Sequence, residues 1–479
     1  MISLSKKQKV LLPFILLTFV SCGGGNTSSL LSSSSSEDLP ISSSDISSET
    51  QPLSYRLDIT KTLKSRSKKS CPSLGKVKAL VVPVHFANDT TTMNTDLIKG
   101  AFDTPSDSNY VPEWRDVKTF YKESSYNKLN FEFVFLDTYI PEKPSTYYES
   151  KANFNGDSYN TNASRALYKE ILNHFDSTYD YNDFDADKDG IIDCIYMIYD
   201  HPVDYTYKNM FWWAYTSWYV DDDKFDNVGL GNYIWCGLDF FTKDGLKNNT
   251  QTIIHETAHL FGVDDYYDYD TSKGATKGGL GGADLMDNDN GSPCGDHNAY
   301  TKSILGWTSP TVIDLNDNNK ELIQELKSFQ ATGDTIILAN EFNKEKEMYQ
   351  EYFMLEYYTP THLSERDKPF TISGIRVLHV CSQLDSKGSI KFNNTSSQFK
   401  LISQINTKNG ETYINSNTNR SDSTLFTIGE SLEYVEYINE TPLKYKFKVI
   451  DGDSSKCTIK ITITDTHFGN KMSFYFKKN

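Results

Sequence analysis

Thr252-Ile253-Ile254-His255-Glu256-Thr257-Ala258-His259-Leu260-Phe261-Gly262-Val263-Asp264-Asp265 is the stretch on which the reading of this chain turns. It combines helical periodicity with ligand chemistry. Residues four apart share a helical face, so His255 and His259 can present ring nitrogens to one ion while Glu256 projects beside its open position. Gly262 can break the helix and let the chain return a carboxylate to that ion. Asp265 is the expected third ligand, with Asp264 and Asp268 as competitors. With nine histidines in the chain, a His-Glu-x-x-His arises by composition about 0.01 times.

Such a set suits metal-assisted hydrolysis. Zinc acidifies the water it binds, and Glu256 can accept that proton and later protonate a leaving amine. An alternative zinc arrangement takes its third ligand from a glutamate on a second helix, but no such motif follows His259, and Gly262-x-x-Asp265 argues against it.

Working outward, Ala79-Leu80-Val81-Val82-Pro83-Val84 within Lys76 to Phe86 is an apolar run of the length of a buried strand. A helix is expected across Trp114 to Tyr126, a strand at Leu129 to Phe135 and a helix at Ser164 to His174. Another strand is expected at Ile191 to Tyr199, and the metal helix from near Asn249. Strand and helix alternate, which predicts an α/β (α+β) catalytic domain over 73–308. After about Thr308 short strand patterns dominate, at Thr335 to Leu338, Tyr352 to Tyr357, Ile375 to Val380, Lys444 to Ile450 and Cys457 to Ile463, so 309–479 reads as a mainly β C-terminal domain.

His255-Glu256-x-x-His259-x-x-Gly262-x-x-Asp265, followed by Tyr266-Tyr267-Asp268, resembles the immune inhibitor A family of secreted bacterial metallopeptidases, which are metzincin-like enzymes. The resemblance extends over roughly residues 76 to 380. It includes Phe120-Tyr121-Lys122-Glu123-x-Ser125-Tyr126-x-Lys128-Leu129 and Glu351-Tyr352-Phe353-Met354-Leu355-Glu356-Tyr357. It implies that Met286, in Gly282-Ala283-Asp284-Leu285-Met286-Asp287, forms a methionine turn beneath the metal; the plainer role is a core methionine. It also places a helix closing the cleft at Gly295-Asp296-His297-Asn298-Ala299-Tyr300, ahead of Leu305-Gly306-Trp307. His297 there could stabilise an oxyanion, line a specificity pocket, or simply bond a backbone carbonyl. Family members usually carry Leu-Pro where Val263-Asp264 stand, so the loop bearing Asp265 departs from the pattern.

Asp185-Ala186-Asp187-Lys188-Asp189-Gly190-Ile191-Ile192-Asp193 sets oxygens at loop positions one, three, five and nine, with glycine at six. Position twelve is Tyr196 and the following segment reads as strand, so this is not an EF-hand but a structural calcium loop; the alternative is an acidic surface turn.

Lys6, Lys7 and Lys9 precede an apolar stretch, Val10 to Val20, too short to span a bilayer, so residues 1–21 read as an export signal. The stretch ends at Ser21-Cys22, which resembles a bacterial lipobox, and Gly23-Gly24-Gly25 and a serine tract follow. Cys22 is therefore the expected lipidation site and 22–72 a Ser-rich linker, with a short pro-segment as one reading. Only the N-terminus should touch the membrane, and the expected location is the cell surface, on the outer face of the bacterial plasma membrane, with proteolytic release as an alternative. Loss of residues 1–21 removes three lysines and no acids, shifting the formal charge from −16 to −19; nucleic acid is not expected as a partner. Protein or peptide substrates and a monomer are expected. Beyond Cys22 six cysteines remain, at Cys71, Cys194, Cys236, Cys294, Cys381 and Cys457, with no spacing that dictates pairing.

The leading expectation is thus a zinc endopeptidase acting on extracellular proteins. The alternative is a catalytically silent surface adhesin on the same fold, which would have lost a ligand or Glu256; neither is lost. A zymogen, with Cys71 on the zinc as a thiolate, is a third reading.

Overall fold

The computed structural model describes residues 53–65, 71–152, 161–206, 209–217, 223–245, 248–267, 278–287, 295–361, 368–391, 401–405 and 420–464. The signal segment, Cys22, the serine tract, Asp268 and Cys294 lie outside them.

The fold is mixed α/β. Its first sheet has five strands in the order Leu129–Phe135, Gly75–Val84, Ile195–Tyr199, Tyr233–Gly237 and Tyr215–Ser217. The first four run parallel and Tyr215–Ser217 is antiparallel at the edge. Parallel strands covered on both faces need continuous apolar runs, and Leu80, Val81, Val82, Val84 and Ile195 to Tyr199 are all fully buried. Each buried Val, Ile or Leu contributes about 1.5–3 kcal/mol, so this sheet is a rigid base for whatever packs on its edge.

Helix Val117–Ser124 is shorter than the Trp114 to Tyr126 expected, for local reasons. The Asp116 side chain accepts from the Thr119 amide at 2.6 Å, which fixes its start. Tyr126 and Asn127 adopt positive φ of 55° and 64°, which ends any helix. Likewise strand Ile195–Tyr199 begins four residues later than expected, because the Asp193 side chain turns back into the preceding loop and accepts from the Ala186 amide at 2.9 Å. The helix read at Ser164 to His174 runs Asn162–Phe175.

A six-stranded sheet follows the order Ser54–Arg56, Thr311–Ile313, Thr335–Leu338, Glu351–Tyr358, Gly374–Cys381 and Ile402–Gln404. A four-stranded antiparallel sheet orders Glu321–Lys327, Lys456–Ile463, Tyr445–Gly452 and Ser431–Leu432. The stretch read as linker carries elements of its own, since Ser54–Arg56 pairs with Thr311–Ile313 and Thr60–Ser65 is a helix. One apolar core also crosses the Thr308 region, running from Leu57 through Trp307 and Ile337 to Ile402. Among the described residues no helix is long and apolar enough to cross a membrane.

Candidate metal centre

Helix Gln251–Leu260 carries His255, Glu256 and His259. It stops as the sequence requires. Gly262 adopts φ +74° and its amide donates to the His259 carbonyl at 2.8 Å, which turns the chain and delivers Asp265 to the helix face. A left-handed conformation costs an L-residue about 1–2 kcal/mol. Gly262→Ala should therefore lower unfolding stability by about that amount and weaken metal binding through the displaced Asp265 loop; an unchanged melting curve would count against this turn.

His255, His259 and Asp265 form a group whose ligand atoms lie within 4.8 Å of one another. His255 Nε2 stands 2.9 Å and His259 Nε2 3.4 Å from Asp265 Oδ1. Tetrahedral zinc holds nitrogen and oxygen ligands about 3.4 Å apart, given bonds of roughly 2.0–2.2 Å. Both Nδ1 atoms face backbone carbonyls, His255 that of Leu285 at 2.9 Å and His259 that of Val263 at 2.7 Å. Donation there leaves each Nε2 with its lone pair directed at the common point. The three residues thus fit a zinc ion. Asp264 is not in the group, while Asp268 falls outside the described residues.

The electrostatics agree. Burial pulls His255 and His259 down, but the Asp265 carboxylate outweighs it, holding His255 above its ordinary value and His259 up to about 10. Asp265, although buried, is held far below the carboxylate range by the two imidazoles. The buried carboxylate thus favours positive charge beside the two imidazoles.

Two further residues contribute. Thr216, on the edge strand, donates its hydroxyl to the Glu256 carbonyl at 2.7 Å and to Glu256 Oε2 at 3.1 Å, tying the glutamate to the sheet. Tyr267 lies parallel to the His255 ring with centroids 6.4 Å apart. Tyr267 stood in the motif that follows Asp265, whereas nothing in the sequence singled out Thr216.

Met286 is fully buried in a turn that buttresses the centre. Leu285 supplies the carbonyl to His255, and Met286 accepts from the Tyr266 amide at 2.7 Å. Asp284 holds the turn by accepting from the Met286 amide and from Asn298, and burial pushes its carboxyl up to about 7. Gly279 bridges the same segment to Ser403, where a Cβ would lie 2.5 Å from the Ile402 carbonyl oxygen.

His297 does not bond a backbone carbonyl. It is buried among Phe120, Tyr121 and Trp307, and neither ring nitrogen has a hydrogen-bond partner. Burial holds it neutral, with its pKa down to about 3. It lines a cleft with Arg115, Phe120, Asp296 and Arg376.

In the acidic loop, Asp185, Asp187 and Asp193 come together as a second ligand group. Asp189 is not in it; its Oδ1 accepts from the Ile191 amide at 3.0 Å. Burial, with the charges of Asp187, Asp185 and Asp189, pushes Asp193 up to about 8. The folded chain therefore binds a proton that the unfolded chain has released, so cation-free stability is full below pH about 4 and is lost as pH rises towards 8. Calcium should replace that proton. Its addition is expected to raise the melting temperature more at pH 8 than at pH 5, and equal shifts at both would rule the site out.

Cys71 is not in the group of His255, His259 and Asp265; its thiol lies against Cys194, is buried, and is raised well above its ordinary pKa by that burial. The thiolate-on-zinc zymogen therefore has no support here. No protein-family model matches the chain, and a search of curated proteins finds no match either.

Proposed function

We propose that this protein is a zinc-dependent endopeptidase that hydrolyses extracellular proteins. The observation that carries the reading is the convergence of His255 Nε2, His259 Nε2 and Asp265 Oδ1 beside a glutamate fixed by Thr216. A bound zinc supplies the Lewis acid that acidifies water and polarises the scissile carbonyl. Glu256 takes the proton of the attacking water and returns it to the leaving amine. The Leu285 and Val263 carbonyls keep the imidazoles aimed, and Asp265 offsets ion charge.

The edge strand Tyr215–Ser217 carries Thr216, so a peptide laid along it as an added strand would run past Glu256. The His297 cleft suits a substrate side chain, with a neutral imidazole as donor. The turn bearing Met286 and the break at Gly262 favour a metzincin-like catalytic unit over residues 73–308, and the largely antiparallel sheets after it a mainly β C-terminal domain. The group at Asp185, Asp187 and Asp193 would hold structural calcium. Cys22 and its flanks support a lipid-anchored surface protein.

Incubation with unfolded casein, followed by mass spectrometry of the fragments, tests this reading. Cuts at internal peptide bonds are expected. Capture of casein without cleavage would favour the binding lipoprotein on the same fold.

A further inference from the structure

A second cluster of ligand-type side chains lies away from the zinc group, on the six-stranded sheet. Glu351 opens strand Glu351–Tyr358 and Cys381 closes its neighbour Gly374–Cys381, where the antiparallel register sets them directly opposite. His379, two residues before Cys381, shares its face. His379 Nε2 is 2.8 Å from Glu351 Oε1, and Cys381 Sγ is 3.6 Å from His379 Nε2. All three ligand atoms lie within 4.8 Å of one another.

The His–thiol distance suits a shared ion. A tetrahedral zinc with a sulfur ligand at about 2.3 Å and an imidazole at about 2.05 Å keeps them about 3.6 Å apart. The His–carboxylate separation is close to the 2.9 Å between His255 and Asp265. The three ligands are also differently anchored. The His379 side chain is 2% exposed and its ring stacks on Phe353 with centroids 4.5 Å apart, so the imidazole is fixed. The Ile438 amide donates to Glu351 Oε1 at 2.6 Å, which orients the carboxylate and ties in the 436–442 turn. Glu351 and Cys381 are partly exposed, which leaves an entry path. An ion pair with histidine alone would not require a thiol on the same face.

We propose that Glu351, His379 and Cys381 form a second, thiolate-containing site for a thiophilic divalent cation such as zinc, which clamps the two strands and the 436–442 turn together. A thiolate, a carboxylate and a neutral imidazole would balance a divalent ion, and a fourth position stays open for water. On binding, the Cys381 S–H bond breaks, its proton passes to solvent and the sulfur–metal bond forms.

Cobalt(II) reports this site separately, because the His255, His259 and Asp265 group contains no sulfur. Titration of the whole protein with cobalt should produce a near-ultraviolet thiolate-to-cobalt charge-transfer band whose full intensity corresponds to one thiolate site. The band should persist in the His255→Ala/His259→Ala protein and disappear in Cys381→Ser. Glu351→Gln should weaken the cobalt affinity of the band by at least tenfold. Absence of the band in the wild-type protein, or its survival in Cys381→Ser, would overturn the proposal, and neither result bears on the peptidase reading.

Discussion

Glu256→Ala is expected to lower kcat on an unfolded protein substrate by about 10²–10⁴-fold, the usual contribution of a positioned general acid–base, with zinc still bound. The expectation follows from placement. Glu256 is adjacent to His255 on the helix, is nearly buried, and bonds Thr216 rather than a cation or ligand partner. Removing its carboxylate leaves the three-residue group intact. Zinc stoichiometry measured beside kcat separates this outcome from collapse of the site. A variant that keeps wild-type kcat would show that another group moves the proton.

Asp265→Ala should instead act on the metal. Loss of outer groups that merely orient a ligand costs about 10–100-fold in metal affinity, and Asp265 approaches both Nε2 atoms itself. A fall of more than about 100-fold in zinc affinity is therefore expected, with activity recoverable only at high zinc. His255 and His259 would also lose the carboxylate that holds their pKa values up. Competition against a chelating dye reads the affinity directly. An unchanged value would return the third-ligand role to Asp264 or Asp268.

The metal group was legible in the sequence because its ligands are local: His255, His259 and Asp265 fall on one helix and the turn that ends it. Helical spacing and a single glycine suffice to bring them together. What was not legible is held by distant contacts. Thr216 reaches Glu256 from an edge strand, the Leu285 carbonyl reaches His255 from a turn, and no local pattern announces either. The buried strands were readable from their apolar runs, whereas the parallel pairing of Thr311–Ile313 with Thr335–Leu338 and the docking of Ser54–Arg56 depend on register between remote segments. His379 and Cys381 are not legible as a ligand pair for the same reason: the glutamate that completes their cluster stands opposite Cys381 only after the strands pair.

The most direct test of the account is cleavage of casein by the purified protein stripped with a strong chelator, then titrated with zinc in the presence of calcium. The account predicts no cleavage after stripping and a return of internal cuts as the His255, His259 and Asp265 group fills. A protein that still cleaves when free of metal, or that binds zinc there and never cleaves, would contradict it.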